Sequence, residues 1–326
     1  MSKPNLLVVC PPDHYALRNL AQISELSHIS ISNNEVEIEK LAQDAEIILY
    51  TGLTGKIVPF SKVWRHAAKA KWVHSLSAGV EKVLHSDFIE SPVPLTNARG
   101  VFKRSLAEFA ILGILYFSKR VRRLVDSQRA HKWDDFFTEF IENKIMGIVG
   151  YGEIGRECAL LAKALGVKIY ALRRNPDRSA NDPLVDKIFA SNELSKMLSE
   201  VDVLLAAAPL TPETRHMLGE TVFAQMKPSA IVINVGRGPV VDEAALIRAL
   251  TEKRLGGAAL DVFETEPLAA DSPLWDLDNV LISPHCTDRT TNPDWLDLSM
   301  QCFVDNFRRY LKSQPLENVV DKKAGY

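Results

Sequence analysis

The chain has 326 residues, of which 46% are hydrophobic and 25% are charged, and its formal net charge at pH 7 is -2. This length allows two domains that each bury a core, and the composition excludes a disordered, collagen-like or coiled-coil chain. A net charge this close to zero gives no indication of a nucleic-acid partner.

Short apolar runs alternate with amphipathic stretches over the first hundred residues. This alternation is typical of a parallel sheet flanked by helices, and the intervening stretches 63–69 and 80–88 are predicted helices. We therefore predict one small α/β domain that ends near residue 99. Its predicted strands are 6–10, 29–32, 46–50, 72–76 and 95–97.

A long apolar helix is predicted next, over residues 105–125. Its last turns carry the basic cluster of Lys119, Arg120, Arg122 and Arg123. The helix dipole favours positive side chains at a helix C-terminus, so we interpret the cluster as a solvated helix end rather than a nucleic-acid site.

A second and more regular series of elements follows. Its predicted strands are almost continuously apolar, which is what a parallel sheet covered on both faces requires. The predicted strands are 144–149, 167–172, 201–207, 230–235, 257–262 and 280–283, and the predicted helices between them are 154–165, 193–199, 220–226 and 243–253.

No stretch of the sequence points to export or to a membrane. The apolar run at 6–10 is too short for a signal-peptide core, and the run at 106–117 is shorter than the ~20 residues of a membrane-spanning helix. The four cysteines lack the paired spacing of a disulfide framework or a zinc site. We therefore expect reduced thiols, no metal, no membrane partner, and the cytoplasm as the default location.

Three glycines, Gly150, Gly152 and Gly155, form a G-x-G-x-x-G pattern between a predicted strand and a predicted helix. In this context the first glycine permits a tight turn, the second lets the backbone approach a pyrophosphate, and the third lets helix and strand pack closely. The N–H groups at the helix N-terminus, which includes Glu153 and Ile154, would face the phosphates. The pattern predicts a dinucleotide site, with a purely structural turn as the alternative.

Two arginines, Arg173 and Arg174, follow the next predicted strand, where an NAD site usually has an acidic residue for the ribose 2′-hydroxyl. A guanidinium group can instead bind a 2′-phosphate through two parallel hydrogen bonds. The sequence therefore predicts that NADP(H) is preferred and that NAD(H) remains possible.

Three polar side chains, Arg237, Glu266 and His285, follow successive late strands, at the edge where an open α/β sheet places its ligands. Each has an ordinary alternative: a surface arginine, a charge at a helix N-terminus, and a buried histidine with satisfied hydrogen bonds. Their occurrence together, in a chain that also carries the glycine pattern, favours an active site. The other seven histidines lie in no comparable setting.

Several separate segments resemble, in order, the signature blocks of the D-isomer-specific 2-hydroxyacid dehydrogenase family. They are residues 77–80, 96–97, 107–108, the glycine pattern, 208–214, 234–238, 260–267 and 282–285. The resemblance implies two Rossmann-like or flavodoxin-like, doubly wound parallel-sheet domains. Residues 1–99 and 289–326 would form the substrate domain, into which an NADP-binding Rossmann domain of residues 100–288 is inserted.

The resemblance also implies residue roles. Arg237 would bind the carboxylate or carbonyl of a 2-ketoacid, and His285, oriented by Glu266, would give a proton to the carbonyl oxygen during hydride transfer. Histidine suits this step because its ordinary pKa is about 6.5. The backbone of Ala78 and Gly79 would hold the substrate carboxylate. The cofactor would be lined by Ala208, Pro209, Thr214, Val235, Gly236 and Asp261, together with Arg237 and His285.

The sequence departs from the family after the catalytic histidine. The family usually has a small residue and then glycine there, whereas this chain has Cys286, Thr287 and Asp288. A β-branched residue and an added carboxylate could narrow the pocket, which puts substrate preference in doubt more than catalysis.

The sequence thus predicts an NADPH-preferring reductase that converts small 2-ketoacids such as glyoxylate, hydroxypyruvate or pyruvate to D-2-hydroxyacids. The resemblance further implies a homodimer, formed with the apolar helix after Val101. The alternative is a nucleotide-sensing, corepressor-like binding protein on the same fold.

Overall fold

The computed structural model describes residues 3–52 and 58–326, and it divides into two compact units. The smaller unit comprises Met1–Phe102 and Arg289–Tyr326, and the larger unit is Lys103–Asp288. Both units are parallel α/β folds, as predicted.

The smaller unit contains a parallel sheet of five strands, in the order β2-β1-β3-β4-β5. All five strands were predicted; β1, β3 and β4 are mostly buried and rich in apolar residues, whereas β2 is mostly half-buried. Their bounds are β1 Asn5–Val9, β2 His28–Ser32, β3 Ile47–Tyr50, β4 Trp72–Ser75 and β5 Leu95–Asn97.

The helices of this sheet differ from the prediction. The helix α1, Glu35–Ala42, was not predicted, because its sequence EVEIEKLA alternates polar and apolar residues as a strand would. Asn34 nevertheless starts it, since its side chain accepts a hydrogen bond from the N–H of Glu37. The other elements are a 3-10 segment Tyr15–Ile23, also not predicted, α2 Phe60–Trp64, which begins before the predicted 63–69, and α3 Ser86–Ile89.

The C-terminal helix, Trp295–Leu311, returns to cover one face of the smaller sheet. Its buried residues Met300, Phe303 and Phe307 belong to one apolar cluster with Leu6 and Val8 of β1. The opposite face of β1 contributes Leu7 and Val9 to a second cluster with α1, α2 and α3. Successive residues of this strand therefore serve two cores, which explains its continuous apolar sequence.

The larger unit contains a parallel sheet of seven strands, in the order β12-β11-β10-β9-β6-β7-β8. Six of them were predicted. The seventh, β8, is a half-buried edge strand that begins with a lysine, so it lacks the apolar run that marks the others. The bounds are β6 Ile145–Val149, β7 Lys168–Arg173, β8 Lys187–Ala190, β9 Val203–Ala206, β10 Ile231–Asn234, β11 Gly257–Leu260 and β12 Val280–Ile282.

The predicted helix 105–125 was wrong in its continuity. It is two helices, α4 Lys103–Ser118 and α5 Val121–Arg129, because Arg120 adopts a left-handed backbone with φ 51°. A residue in this conformation ends a right-handed helix. The basic cluster around it takes part in ion pairs, such as the 2.7 Å contact between Arg123 Nε and Asp134.

Four further helices flank the larger sheet: α6 Glu153–Ala164, α7 Leu194–Leu198, α8 Glu220–Phe223 and α9 Glu243–Thr251. Within residues 3–52 and 58–326, no helix combines the length and the apolar character needed to cross a membrane.

The strand order reverses between β6 and β9, which are neighbours in the larger sheet. In an open α/β sheet, connections from two such strands run to opposite sides, an arrangement that leaves a crevice at their carboxyl ends. This crevice is where an open α/β sheet binds its ligand.

Candidate active site

The glycine pattern begins at the carboxyl end of β6, where the strand order reverses. Gly150 has φ 94°, and a Cβ atom there would lie 2.5 Å from the backbone of Ala208, just beyond β9. A Cβ atom on Gly155 would lie 2.6 Å from the carbonyl oxygen of Gly150. Only glycine fits these two positions, because backbone atoms fill the space that a side chain would need.

The middle glycine is different, because a Cβ atom on Gly152 would have no atom within 4 Å among the described residues. Gly152 precedes α6, so the open space lies at the N-terminus of this helix, beside the N–H groups of Glu153 and Ile154. N–H groups and a positive dipole end bind phosphate. The space and its donors therefore fit the pyrophosphate of a dinucleotide.

A cluster of hydrogen bonds holds the segment that follows β7. The side chain of Asp182 accepts hydrogen bonds from Arg156 Nε of α6 at 2.7 Å and from the hydroxyl of Tyr151 at 3.3 Å. Burial, together with the nearby Asp182, raises the pKa of the Tyr151 hydroxyl, so that it remains a donor. The cluster therefore ties this segment to the glycine loop.

The two arginines lie where β7 passes into this segment. Arg173 is the last residue of β7, and its guanidinium group donates to the hydroxyl of Ser179. Arg174 follows and is exposed. The first acidic residue after the strand is Asp177, so cationic groups lead at this strand end.

The predicted catalytic histidine forms a pair with the predicted glutamate. His285 follows β12, and its Nδ1 lies 2.6 Å from Oε2 of Glu266. The other carboxylate oxygen of Glu266 accepts the backbone N–H of Phe263 at 3.1 Å. A ring whose Nδ1 is bound to a carboxylate has Nε2 as the nitrogen that exchanges a proton with a ligand.

Arg237 lies in a loop fixed by Asn234 at the end of β10. The Asn234 side chain donates to the carbonyl oxygen of Arg237 at 3.1 Å and accepts from the N–H of Gly236 at 3.1 Å. A Cβ atom on Gly238 would lie 1.7 Å from the carbonyl oxygen of Phe263. The arginine loop therefore packs against the loop that carries the glutamate.

Asn234 was not predicted as a functional residue. Its signal in the sequence is an amide side chain at a strand end, three residues before a predicted substrate-binding arginine.

Asp261, predicted to line the cofactor, has its side chain inside the protein, with 1% of the residue exposed. It accepts from the hydroxyls of Ser283 at 2.7 Å and Thr287 at 2.6 Å, and from the N–H groups of Cys286 at 3.2 Å and Thr287 at 3.3 Å. All four donors flank His285, so Asp261 holds the histidine segment.

The remaining predicted cofactor residues of the larger unit lie at the same sheet edge. Ala208 and Pro209 follow β9, and the hydroxyl of Thr214 donates to the carbonyl oxygen of Pro209 at 2.7 Å. Val235 and Gly236 follow β10. The structure thus brings these residues to the carboxyl ends of neighbouring strands.

Ala78 and Gly79 belong to the smaller unit and follow β4. Asn97, the last residue of β5, donates from its side chain to the carbonyl oxygen of Ala78 at 2.6 Å. Asn97 lies in a block on which the resemblance rests, but a role in fixing the Ala78 loop was not predicted.

Other groups that could support chemistry are a buried histidine and four cysteines. His74 is buried within β4, its Nδ1 lies 2.7 Å from the hydroxyl of Thr96, and burial lowers its pKa to about 3. The four cysteines are unpaired thiols. In the part of the chain that the structure describes, no three histidine, cysteine, aspartate or glutamate side chains are grouped to hold a metal ion.

Comparison with known proteins gives a family and several relatives. The profile described as the NAD binding domain of D-isomer specific 2-hydroxyacid dehydrogenases matches residues 111–287. The glyoxylate/hydroxypyruvate reductase B of Yersinia enterocolitica is 32% identical, over 99% of this chain and 98% of the relative. The enzyme of that name from Salmonella typhimurium is 35% identical, over 77% of this chain and 78% of its own.

Two solved structures with bound cofactor are similar over 100% of both chains. One is the NADPH-dependent glyoxylate/hydroxypyruvate reductase of Sinorhizobium meliloti in complex with NADP and sulfate, at 25% identity and a TM-score of 0.84. The other is a probable 2-hydroxyacid dehydrogenase of Rhizobium etli in complex with NADP, HEPES and L(+)-tartaric acid, at 25% identity and a TM-score of 0.85.

Proposed function

Because the chain belongs to the D-isomer specific 2-hydroxyacid dehydrogenase family, and is thus a nicotinamide-dependent oxidoreductase, we propose that it reduces small 2-ketoacids to D-2-hydroxyacids with NADPH as preferred donor. Glyoxylate, hydroxypyruvate and pyruvate are the proposed substrates. The observation that carries the proposal is the 2.6 Å contact between His285 Nδ1 and Glu266, on the sheet edge that also holds the glycine pattern and Arg237.

His285 is the proton donor of the proposed reaction. Bound NADPH would supply the hydride to the carbonyl carbon, which leaves negative charge on the carbonyl oxygen. The imidazolium Nε2–H transfers its proton to that oxygen, and the neutral ring then regains a proton from solvent. Glu266 accepts from Nδ1–H throughout, so it fixes the orientation of the ring.

Arg237 is the substrate-binding side chain. Its planar guanidinium group matches a carboxylate or a polarised carbonyl, and its loop is held by Asn234 and by the tight packing at Gly238. We assign the backbone of Ala78 and Gly79 to the ketoacid carboxylate. The smaller unit is therefore proposed as the substrate domain and the larger as the cofactor domain.

The preference for NADPH rests on Arg173 and Arg174. Two guanidinium groups at the end of β7 favour a phosphate on the ribose, whereas residues 173–176 include no carboxylate that could accept a hydrogen bond from a 2′-hydroxyl. The hydroxyl of Ser179, already in contact with Arg173, lies in the same segment.

A second copy of the chain is the proposed protein partner. The helix α5 buries none of its residues, and Trp133, Phe137 and Phe140 just beyond it are 98%, 93% and 85% exposed. Such a run of exposed aromatic side chains marks an interface.

Sedimentation analysis should show a dimer, and W133S together with F137S should shift the chain toward the monomer. A monomeric wild type would refute this assignment.

The test of the activity is the initial rate of NADPH and of NADH oxidation, with glyoxylate, hydroxypyruvate, pyruvate and phenylpyruvate offered in parallel. We expect turnover with NADPH favoured. Replacing Arg173 and Arg174 by glutamine should raise the KM for NADPH about 10- to 100-fold, since hydrogen bonds to charged groups contribute about 1.5–3 kcal/mol. The KM for NADH should change less than about threefold, because NADH lacks the 2′-phosphate.

The matched control is R65Q, since Arg65 is an exposed arginine of the smaller unit. Equal effects of the double variant on both cofactors would refute the phosphate assignment. Tight NADPH binding without turnover of any ketoacid would instead favour the corepressor-like binding protein.

A further inference from the structure

Thr287 stands where the family usually has glycine, and it is fastened through three of its own atoms. Its hydroxyl donates to Oδ2 of Asp261 at 2.6 Å, and its N–H donates to Oδ1 at 3.3 Å. Its carbonyl oxygen accepts from the hydroxyl of Ser105 on α4. The residue two positions after the catalytic histidine is therefore fixed in the larger unit from both sides.

The histidine itself needs such support, because its backbone is left-handed, with φ 48°. A residue other than glycine rarely adopts this backbone conformation unless its surroundings hold it there. The carboxylate of Asp261 binds residues on both sides of His285: the hydroxyl of Ser283 before it, and Cys286 and Thr287 after it.

The hydroxyl of Thr287 has a particular place in this arrangement. Within the described residues it is the donor on Oδ2, while the other three hydrogen bonds share Oδ1. Asp261 is 1% exposed, so water cannot readily replace a lost donor. A hydrogen bond between a hydroxyl and a carboxylate is also strong and directional.

Threonine at position 287 also restricts the conformations of the segment after His285 more than glycine would. Its branched Cβ atom restricts the side-chain torsion, and its backbone has fewer accessible conformations than that of glycine. Because the hydroxyl faces Asp261, it is not the group that contacts a substrate.

We propose that Thr287 is a positioning residue, whose hydroxyl, bound to Asp261, keeps the His285 ring in register with Glu266. The inference rests on the proposed function, in which His285 donates the proton. In this chain the Thr287 hydroxyl orders the segment that carries His285, which a glycine at this position could not do because it has no side chain. The 2.6 Å contact between Nδ1 and the glutamate is what the Thr287 hydroxyl preserves.

Three variants of the full-length chain test this. T287V keeps the shape of the side chain and removes the hydroxyl, whereas T287S keeps the hydroxyl. T251V is the matched control, because Thr251 is exposed and its hydroxyl donates only to its own helix, to the carbonyl oxygen of Ile247 at 2.8 Å.

We expect T287V to lower kcat about 10- to 100-fold, as a displacement of about 1 Å at a reacting group does, with the KM for NADPH within about threefold of wild type. T287S should stay within about threefold in kcat, and T251V should match wild type. Wild-type kcat in T287V would overturn the proposal. Equal damage in T287S and T287V would also overturn it, since packing would then be the role of the residue.

A second readout does not depend on turnover. In the cofactor-free protein, the proton NMR resonance of the His285 Nδ1–H, identified by its loss in H285Q, should lie far downfield in wild type and T287S. It should move upfield or broaden in T287V; an unchanged resonance would overturn the proposal. If wild type reduces no ketoacid, the proposed function fails, yet this comparison still decides the positioning role. Should T287V not fold, as judged by circular dichroism, T287A replaces it.

Discussion

Two histidines of this protein occupy opposite kinds of site in two parallel sheets. His74 lies inside strand β4, with 0% of the residue exposed, and its Nε2 has no hydrogen-bond partner among the described residues. His285 lies beyond the end of strand β12, with 42% of its side chain exposed and a carboxylate on Nδ1. The interior of a strand makes an imidazole part of the core, whereas the loop after a strand leaves it partly exposed to solvent.

The largest effect should come from the exposed member of this pair. H285Q should lower kcat for ketoacid reduction by about 10²- to 10⁴-fold, because a positioned general acid contributes that much. Binding of NADPH, followed by fluorescence titration, should change less than about threefold, and the control H28Q, at an exposed histidine of β2, should match wild type. A kcat near the wild-type value would remove His285 from its proposed role.

The glycine loop offers the same contrast between a filled and an open position. G150A places a methyl group 2.5 Å from the backbone of Ala208 at φ 94°, so the free energy of unfolding should fall by about 2–4 kcal/mol. The added methyl group of G152A has no atom of the described residues within 4 Å, so the free energy of unfolding should stay within about 1 kcal/mol of wild type, while NADPH binds about tenfold or more weakly.

Urea unfolding and NADPH titration of both variants separate the two effects. If G152A bound NADPH as tightly as wild type, the open space at the start of α6 would not be the phosphate site.

The smallest of the three effects should come from the buried histidine. Burial lowers the pKa of His74 to about 3, so between pH 6.5 and that value the unfolded chain binds a proton that the folded chain does not. The free energy of unfolding therefore does not depend on the protonation of His74 above about pH 6.5. It falls by about 1.4 kcal/mol for each pH unit below that value.

Urea unfolding at pH 7.5 and pH 5 measures this loss. Wild type should lose about 2 kcal/mol more than H74Q between the two values, and H28Q should behave as wild type. An identical pH dependence in wild type and H74Q would show that His74 is protonated within the fold.

Most strands could be predicted because a strand that is buried on both faces requires a continuous run of apolar residues. The strand β8 was not predicted because an edge strand needs no such run. The helix α1 was not predicted because its glutamates alternate with apolar residues in the pattern typical of a strand. The break at Arg120 could not be foreseen, since a left-handed arginine has no signature like that of glycine.

The site shows the same division. Glycines and polar side chains at strand ends are visible in the sequence, so Gly150, Arg237 and His285 could be predicted as site residues. The bonds that fix them were not, because they join residues far apart along the chain, as Asp261 and Thr287 are. Which of these meet depends on loop conformations that no spacing rule specifies.

The division of the smaller unit into two stretches of chain has a consequence for its biosynthesis. The ribosome delivers strands β1–β5 first, then the whole larger unit, and only then the C-terminal helix Trp295–Leu311. Until that helix emerges, Leu6, Val8 and the rest of their face have no cover from Phe303 or Phe307. Until residues 295–311 have been synthesised, the smaller sheet therefore has one uncovered apolar face, and such a face in a nascent chain favours aggregation unless chaperones cover it.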